Sequence, residues 1–302
     1  MVREPVGVVG AVIPWNFPLA ILAMKTAPAL AGGNSLIVKP AEQTTLSALR
    51  FAELVAEAGI PAGVFNIVTG FGETVGQALG RHPDVDCLSF TGSTEVGRYF
   101  LKYAAESNLK KVILELGGKS PAIVMDDVDD LQPIVEQLAI GILFSQGENC
   151  SAGSRLLVHE KVKGRLLEAL VEHFKTWTVG DPLVEGTRIG ALIDEKHMNN
   201  ILGYIKAGVE EGGRIILGGQ RIRQETGGYY IEPTIFDDVS NQMTIAREEI
   251  FGPVLSVITF SSVEEAIAIA NDTPYGLAAS LYTNNLHTAH KVSRAIRAGT
   301  VS

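Results

Sequence analysis

The sequence predicts an α/β protein with a doubly wound parallel sheet in its first part and a second α/β domain after it. Over the first 125 residues, short apolar runs alternate with helical patterns, as in parallel sheets that carry helices on both faces. At about 150 residues per domain, the length of 302 residues suggests two domains or one large one. We place the boundary at Gly117-Gly118, which gives domains of residues 1–117 and 118–302.

The strands and helices of the first domain follow from local patterns. Val6–Ile13 is an almost continuous apolar run, which is typical of a strand that is buried on both faces. The clearest helix begins at a cap formed by Thr44 or Thr45 and ends at Gly59. Further strands are predicted at Ser35–Val38, Val64–Val68, Cys87–Phe90, Val112–Leu114 and Ala122–Met125. Further helices are predicted at Leu19–Ala31, Glu73–Leu79 and Thr94–Glu106.

The second domain begins with a helix whose apolar stripe runs from Leu131 to Ile142. Asp129 and Asp130 lie in its first turn, where the helix dipole favours acidic side chains. Strands are predicted at Leu156–Val158, Val254–Thr259 and Leu277–Tyr282. Helices are predicted at Val162–Trp177, Glu195–Glu211, Val263–Ala270 and His287–Arg297.

The composition excludes several classes of protein. With 46% hydrophobic and 20% charged residues, the chain resembles globular proteins rather than disordered ones. The formal charge of −9 argues against nucleic acid and anionic membranes as partners, because both attract basic surfaces. No apolar run reaches the ~18 residues that a membrane span requires. Glu4, Pro14 and Lys25 interrupt the apolar N-terminal region, which argues against a signal peptide.

The chain has two cysteines, Cys87 and Cys150. Two are too few for a disulfide framework or a four-cysteine zinc site, so we predict no metal and a reducing, cytoplasmic environment. Cys87 lies within an apolar strand pattern, which indicates a buried structural thiol. Cys150 lies in a loop between Gly147 and Gly153, where the backbone approaches closely and exposes N–H groups. This position suits a thiolate nucleophile, although an inert buried thiol is also consistent with it.

Polar residues follow several predicted strands, at the edge where doubly wound sheets bind their ligands. Glu115 is either a general base or a solvated loop carboxylate. The segment Gly92–Gly97 leads from a strand into a helix, and is either an anion site for a pyrophosphate or an ordinary turn. Lys39 and Glu42 either hold a ribose or begin the next helix. Asn16, between two prolines, either donates to an oxyanion or fixes a turn.

Six motifs follow one another along the whole chain. They are Pro14-Trp15-Asn16-Phe17-Pro18, Lys39-Pro40-Ala41-Glu42, Phe90-Thr91-Gly92-Ser93, Leu114-Glu115-Leu116-Gly117-Gly118-Lys119-Ser120-Pro121, Gly147-x-x-Cys150 and Glu248-Glu249-Ile250-Phe251-Gly252-Pro253. In this order they resemble the motifs of the aldehyde dehydrogenase superfamily. Asp84-Val85-Asp86 and Ser107–Lys111 look closest to the branch that oxidises gamma-glutamyl-gamma-aminobutyraldehyde and guanidinobutyraldehyde.

The resemblance implies a cofactor domain over residues 1–117, a catalytic domain over 118–302, and roles for three residues. By this resemblance Cys150 is the nucleophile, whose thiolate attacks an aldehyde to give a thiohemiacetal and then a thioester. The Asn16 amide and the Cys150 backbone N–H match the oxyanion hole. Glu115 matches the base that activates water to hydrolyse the thioester.

The resemblance also implies NAD as the cofactor and assigns residues to it. Lys39 and Glu42 match groups near the adenine ribose, and the acid there disfavours the 2′-phosphate of NADP. Gly92 and Ser93 match the turn near the pyrophosphate and nicotinamide. The remaining matches are Glu249 at the nicotinamide ribose, Phe251 packing beside it, and Trp15 in the cofactor-binding set. Ordinary core packing is the alternative for Phe251. The expected substrate is a small aldehyde, and full-length members form homo-oligomers.

The sequence departs from the family pattern in three respects. Members extend further at both ends, through segments that contribute to oligomerisation and to the substrate tunnel, so we expect a fragment or a truncated paralogue. Met24 stands where many members have tryptophan, and Glu148 stands where glutamine is common. Two alternatives to the enzyme remain: a thioesterase that uses Cys150 without redox chemistry, and a non-catalytic chain that binds nucleotide or a partner subunit.

Overall fold

The first apolar run forms the central strand of a five-stranded parallel sheet in the computed structural model, which describes residues 2–302. The strands of this sheet are β1 (Val8–Val12), β2 (Ser35–Lys39), β3 (Phe65–Ile67), β4 (Cys87–Thr91) and β5 (Lys111–Glu115). Their spatial order is β3-β2-β1-β4-β5. The chain runs outward from β1 to β3 and returns to β4 on the other side, so β1 and β4 flank a topological switch point. The doubly wound parallel sheet is confirmed.

The chain divides into two units, Met1–Leu116 and Gly117–Ser302. The helices of the first unit are α1 (Pro18–Ala31), α2 (Thr45–Glu57), α3 (Gln77–Arg81) and α4 (Thr94–Ala105). Alternation along β1 explains its two-sided burial: Val9 and Ala11 face one core, and Val12 faces the other. Helices are therefore required on both faces of this sheet.

Two local predictions in this unit are wrong in detail. The predicted helix at Glu73–Leu79 begins as a π turn, Gly72–Gly76, and continues into α3. Thr44 is the residue that precedes α2, but its side chain makes no capping hydrogen bond. The Thr45 hydroxyl instead donates to the Ala41 carbonyl at 3.2 Å. This side-chain hydrogen bond links the first residue of α2 to the segment that precedes the helix.

A second sheet, of seven strands, organises the second unit. The strands of this unit are β6 (Pro121–Val124), β7 (Arg155–His159), β8 (Arg214–Leu217), β9 (Arg221–Ile222), β10 (Tyr230–Ile231), β11 (Thr234–Asp237), β12 (Val254–Phe260), β13 (Ala278–Tyr282) and β14 (Thr300–Val301). The order in the sheet is β14-β13-β6-β7-β12-β11-β8, in which only the β11–β8 pair is antiparallel. The strand predicted at Ala122–Met125 is β6 and begins this second sheet.

The helices of the second unit are α5 (Gln132–Leu143), α6 (Glu160–Lys175), α7 (Glu195–Glu210), α8 (Thr244–Arg247), α9 (Val263–Asn271) and α10 (Leu286–Ala295). The predicted apolar stripe of α5 is buried against α6 and the sheet. Strands β8 to β11 have two to four residues each, too few for an alternating pattern to show in the sequence. In residues 2–302, none of the helices combines the length and apolarity required to cross a membrane.

Arg155, the first residue of β7, is fully buried at 0% exposure and joins three parts of the second unit. Its guanidinium donates to the carbonyls of Lys119, Ile269 and Ala270 at 2.9, 3.1 and 2.9 Å. It also donates to the Asn241 side chain at 3.0 Å. Two of these carbonyls belong to the last turn of α9, where the helix dipole attracts a cation.

We expect Arg155→Met to lower the free energy of unfolding by about 3 kcal/mol, because it leaves buried carbonyl oxygens without donors. Arg155→Lys keeps a charged donor and should lose less. Guanidinium titration followed by fluorescence measures both variants. A methionine variant as stable as wild type would show that desolvation of the guanidinium offsets its hydrogen bonds.

Candidate active site

In the first unit, the predicted site residues lie along one edge of the sheet. Trp15 and Asn16 follow β1, Lys39 ends β2, Gly92 follows β4 and Glu115 ends β5. The strands are parallel and in register, with Val12 opposite Lys39 and Thr91 opposite Glu115. Their carboxyl ends therefore gather these side chains at the edge where such sheets bind ligands.

Lys39 and Glu42 form an ion pair at the end of β2. Lys39 Nζ lies 2.6 Å from Glu42 Oε1, and the two side chains are 4% and 38% exposed. Burial alone raises the pKa of the Glu42 carboxyl, but the hydrogen bond and charge of Lys39 outweigh this and hold the pKa below its ordinary value. The carboxylate is therefore ionised at neutral pH, and its exposed side is available to hydroxyl donors.

The segment after β4 enters α4 through a capped turn. The Ser93 hydroxyl accepts from the Val96 backbone N–H at 3.3 Å, which makes Ser93 the N-cap of α4. A β-carbon on Gly92 would lie 2.5 Å from the Phe90 ring, so the close packing of this turn requires glycine. The positive end of the α4 dipole thus faces the carboxyl edge of the sheet.

Glu115 ends β5 and acts electrostatically on Lys25 of α1. Burial lowers the pKa of the Lys25 ammonium, and the negative charge of Glu115 opposes that decrease. A lysine therefore lies within electrostatic range of the carboxylate that is predicted to be the base.

Cys150 lies in the second unit, in the loop between α5 and β7, and is partly exposed. It precedes β7, so it lies at the amino end of that strand rather than at a carboxyl end. Earlier in the same loop, three consecutive residues adopt the left-handed backbone conformation. They are Ser145, Gln146 and Gly147, with φ of 53°, 58° and 74°. Cys87, by contrast, is buried in β4, as predicted for a structural thiol.

Glycines allow the loop of Cys150 to touch two other loops backbone to backbone. A β-carbon on Gly118 would lie 2.3 Å from the Cys150 carbonyl oxygen. A β-carbon on Gly147 would lie 2.3 Å from the carbonyl carbon and oxygen of Gly252. No other residue type fits these contacts, so the position of Cys150 depends on both glycines.

The Glu249 carboxylate rests on the glycine pair that follows Glu115 in sequence. Gly118 N–H donates to Glu249 Oε1 at 3.0 Å, and a β-carbon on Gly117 would lie 2.1 Å from Oε2. Burial raises the pKa of the Glu249 carboxyl, while the Gly118 hydrogen bond and the Lys119 charge act in the opposite direction. The second unit therefore brings the loops of Glu249, Phe251 and Cys150 together around this glycine pair.

A cavity of about 500 Å³ adjoins Cys150 within the second unit. It lies between α5 and the amino ends of β6 and β13. The side chains that line it carry no charge, and the polar ones belong to Ser120, Gln137, Ser151, Ser280, Tyr282, Thr300 and Ser302. Its volume and its largely apolar lining are typical of sites for small organic molecules.

Glu148 and His197 are the residues near Cys150 that the motif analysis did not assign to the site. Burial raises the pKa of the Glu148 carboxyl to about 7, against the hydrogen bonds from Ile193 and Gln146. His197 Nε2 lies 3.8 Å from Glu148 Oε1 and donates to the Phe251 carbonyl at 2.7 Å. The sequence signal for Glu148 was its departure from the glutamine that is common at this position in the family. Nothing in the sequence indicated His197.

Lys119 is buried among the loops of this unit at 1% exposure. Burial and the nearby Arg155 charge lower the pKa of its ammonium to about 7, although Glu249 and Glu248 act to raise it. Among residues 2–302, its Nζ has no hydrogen-bond partner. The same residues contain no cluster of three or more His, Cys, Asp or Glu side chains arranged to bind a metal.

Comparison with known proteins identifies close relatives along the whole chain. Aminoacetaldehyde dehydrogenase of Pseudomonas aeruginosa is 54% identical over 302 residues, which are 100% of this chain and 60% of that protein. A crystal structure of an indole-3-acetaldehyde dehydrogenase with NAD+ matches at a TM-score of 0.98 and 56% identity, over 99% of this chain and 61% of that one. The gamma-glutamyl-gamma-aminobutyraldehyde dehydrogenase of Burkholderia cenocepacia matches at a TM-score of 0.96 and 55% identity, over 99% and 60%.

The fold and the clustered site residues define a two-unit α/β protein with a dinucleotide-type sheet and a thiol on a glycine-supported loop. The family model described as "Aldehyde dehydrogenase family" matches residues 1–302, and the chain belongs to that family. The predicted resemblance is therefore confirmed. The chain spans about three fifths of the length of the relatives it matches.

We expect Gly147→Ala to destabilise the protein by about 2–4 kcal/mol. The added methyl group meets the Gly252 backbone at 2.3 Å, and φ of 74° is unfavourable for alanine. Gly164→Ala in α6 is the matched control, because nothing lies within 4 Å of its β-carbon and alanine favours helix. Thermal and denaturant unfolding measure both. Equal stability of the two variants would contradict the close contact between the loops.

Proposed function

We propose that the protein carrying this chain oxidises an aldehyde to a carboxylate, with Cys150 as nucleophile and NAD+ as oxidant. The observation that carries the proposal is the placement of the Cys150 loop, packed on Gly118 and Gly252 and open to a neutral cavity, in a chain of the aldehyde dehydrogenase family. A partly exposed thiol on a loop held by backbone contacts suits nucleophilic catalysis better than it suits a structural role.

In the proposed reaction, the Cys150 thiolate attacks the carbonyl carbon and forms a thiohemiacetal. The Asn16 amide and the Cys150 backbone N–H donate to the developing oxyanion, and each such donor typically lowers the barrier by ~2.7–4 kcal/mol. Loss of hydride from the thiohemiacetal carbon leaves a thioester on Cys150. Glu115 then removes a proton from water as the water oxygen attacks the thioester carbon, and the C–S bond breaks to release the carboxylic acid and the Cys150 thiolate. The released acid gives its proton to solvent and leaves as the carboxylate.

Residues on both units have the chemistry that a nicotinamide dinucleotide requires. Lys39 and Glu42 suit the adenine ribose, and the capped start of α4 at Ser93 suits a pyrophosphate. The buried Glu249 carboxylate suits the hydroxyls of the second ribose, and Phe251 suits packing beside the ring. We add Trp15 and Gly92 to this set from their motifs. The dinucleotide, when bound, supplies the acceptor for the hydride; the protein supplies the positions of the groups around it.

The ionised Glu42 supports NAD+ over NADP+, because a carboxylate beside the adenine ribose repels a 2′-phosphate. NAD+ is the ligand named in related structures, including the indole-3-acetaldehyde dehydrogenase. We therefore infer a preference for NAD+, which competition between the two dinucleotides measures directly.

We infer that the substrate carries a nitrogen substituent in the chain that leads to the aldehyde. The relatives named for aminoacetaldehyde and for gamma-glutamyl-gamma-aminobutyraldehyde support this class. The side chains that line the cavity beside Cys150 include no carboxylate. This supports an acylated nitrogen over a free ammonium ion, which favours a carboxylate or an aromatic cage. We further propose a cytoplasmic homo-oligomer that acts on small molecules.

The decisive experiment measures NADH at 340 nm with a panel of aldehydes that includes 4-aminobutyraldehyde and its acylated derivatives. It is run on the 302-residue chain and on a chimera in which the flanking segments of the Pseudomonas aeruginosa relative are joined to it. Turnover in either protein supports the dehydrogenase. Ester cleavage without NADH would favour a thioesterase. NAD+ binding without turnover in both proteins would favour a non-catalytic chain.

We expect Cys150→Ala to abolish NADH formation and to leave NAD+ affinity within about twofold, because it removes the nucleophile and no proposed cofactor contact. Cys87→Ala is the matched control: its thiol is buried in β4, so turnover should persist. Calorimetry and the 340 nm assay measure the two quantities. Turnover retained by Cys150→Ala would remove that residue from the mechanism.

We expect Glu115→Gln to slow thioester hydrolysis more than its formation, because an amide does not accept the proton of water. Stopped-flow absorbance should show a burst of NADH followed by a steady rate that is lower by about 10²–10⁴-fold. Glu57→Gln, an exposed position on α2, is the control. A steady rate equal to that of the control would assign the base elsewhere.

A further inference from the structure

The loop that carries Cys150 is held in an unfavourable backbone conformation. Ser145 and Gln146 have φ of 53° and 58°, in the left-handed region that side chains disfavour. Phe251, on the neighbouring turn, has φ of 58°. Such conformations persist only where surrounding contacts hold them. The contacts of the Cys150 loop and of the Phe251 turn therefore identify the residues that fix the position of Cys150.

Side-chain hydrogen bonds hold the Cys150 loop against the segment that leads into α7. Gln146 Oε1 accepts from the Gly190 N–H at 3.2 Å, and Gln146 Nε2 donates to Glu148 Oε2 at 3.4 Å. Glu148 Oε1 accepts from the Ile193 N–H at 3.0 Å. The Glu148 side chain is 5% exposed, so water does not replace these partners readily.

His197, in the first turn of α7, extends this network to the turn of Phe251. A carbonyl oxygen only accepts, so His197 Nε2 carries the proton that it donates to the Phe251 carbonyl at 2.7 Å. The imidazole also packs edge-on against the Phe251 ring, with centroids 6.0 Å apart. Asp194 fixes the start of α7 by accepting from the His197 backbone N–H at 2.8 Å.

We propose that Glu148 and His197 are positioning residues for the reaction proposed above, and that they hold the strained loop of Cys150 and the turn of Phe251 in one fixed arrangement. We call these two residues the clamp. The inference rests on the proposed function in taking Cys150 as the nucleophile. The clamp acts through the loop and the turn, and neither side chain is assigned a contact with the aldehyde.

The clamp also makes the nucleophile sensitive to pH. Burial raises the pKa of Glu148 to about 7 and lowers the pKa of His197, so near neutrality the carboxyl changes charge beside a neutral imidazole. Asp194 is a further charged group that acts on both. Glu148 is two positions before Cys150 in the same loop. In this proposal, the negative charge that Glu148 carries above pH 7 disfavours the Cys150 thiolate.

The first test measures alkylation of Cys150 by iodoacetamide between pH 5.5 and 9, with the site identified by peptide mass spectrometry. Glu148→Gln keeps an oxygen acceptor for Ile193 and removes the charge. We expect this variant to react about threefold to tenfold faster than wild type at pH 8 and at the same rate at pH 6. Glu168→Gln, exposed on α6, is the control. Superimposable profiles for Glu148→Gln and wild type would overturn the pH-dependent role.

The second test separates positioning from charge. Glu148→Ala removes the acceptor, so the Ile193 amide should exchange hydrogen about tenfold faster, whereas Glu148→Gln should retain wild-type exchange. In the chimera, the alanine variant should lose about tenfold in kcat with KM nearly unchanged, and the glutamine variant should restore kcat. Wild-type exchange and wild-type kcat in Glu148→Ala would overturn the clamp.

The two proposals fail in different ways. Alkylation and hydrogen exchange are measured without aldehyde or NAD+, so they judge the clamp even in a protein that shows no turnover. Absence of turnover in both the 302-residue chain and the chimera contradicts the proposed function alone. Unchanged alkylation and exchange in the Glu148 variants contradict the clamp alone, whatever the turnover of wild type.

Discussion

The arrangement of the second unit depends on backbone contacts that only glycine permits. The Cys150 carbonyl rests on Gly118, and Gly147 rests on Gly252, each at a distance that excludes a side chain. The same glycine pair that supports Cys150 also holds the Glu249 carboxylate, through the Gly118 N–H. A thiol, a carboxylate and the Phe251 turn are thereby fixed by main chain rather than by flexible side chains, which is how a site acquires precise geometry.

Burial shifts the pKa values of three ionisable groups in this unit, Glu148, Glu249 and Lys119. The desolvated carboxyls of Glu148 and Glu249 have raised pKa values, and desolvation lowers the pKa of Lys119 to about 7. In each case hydrogen bonds or nearby charges act against burial without cancelling it. Glu148 and Lys119 therefore change charge near neutral pH, which is the range in which acid–base and thiol chemistry operate.

The first unit gathers polar groups by a different physical route. Its five strands are parallel and in register, so whatever follows each strand arrives at the same edge. That edge receives an ion pair at Lys39 and Glu42, the capped start of α4 at Ser93, and the Glu115 carboxylate. Strand direction accounts for this grouping, because the ion pair, Ser93 and Glu115 follow different strands and are distant from one another in sequence.

The sequence by itself determined the alternation of strands and helices, the apolar faces, and the motifs that place the chain in its family. These features follow from local patterns. The apolar run of β1 and the apolar stripe of α5 each lie within one short segment of the sequence, and both are buried in the structure. The tertiary structure decided the contacts between distant segments: Gly147 against Gly252, Glu249 on Gly118, and His197 between Glu148 and Phe251. No local pattern encodes these contacts, because each depends on how loops far apart in the chain pack together.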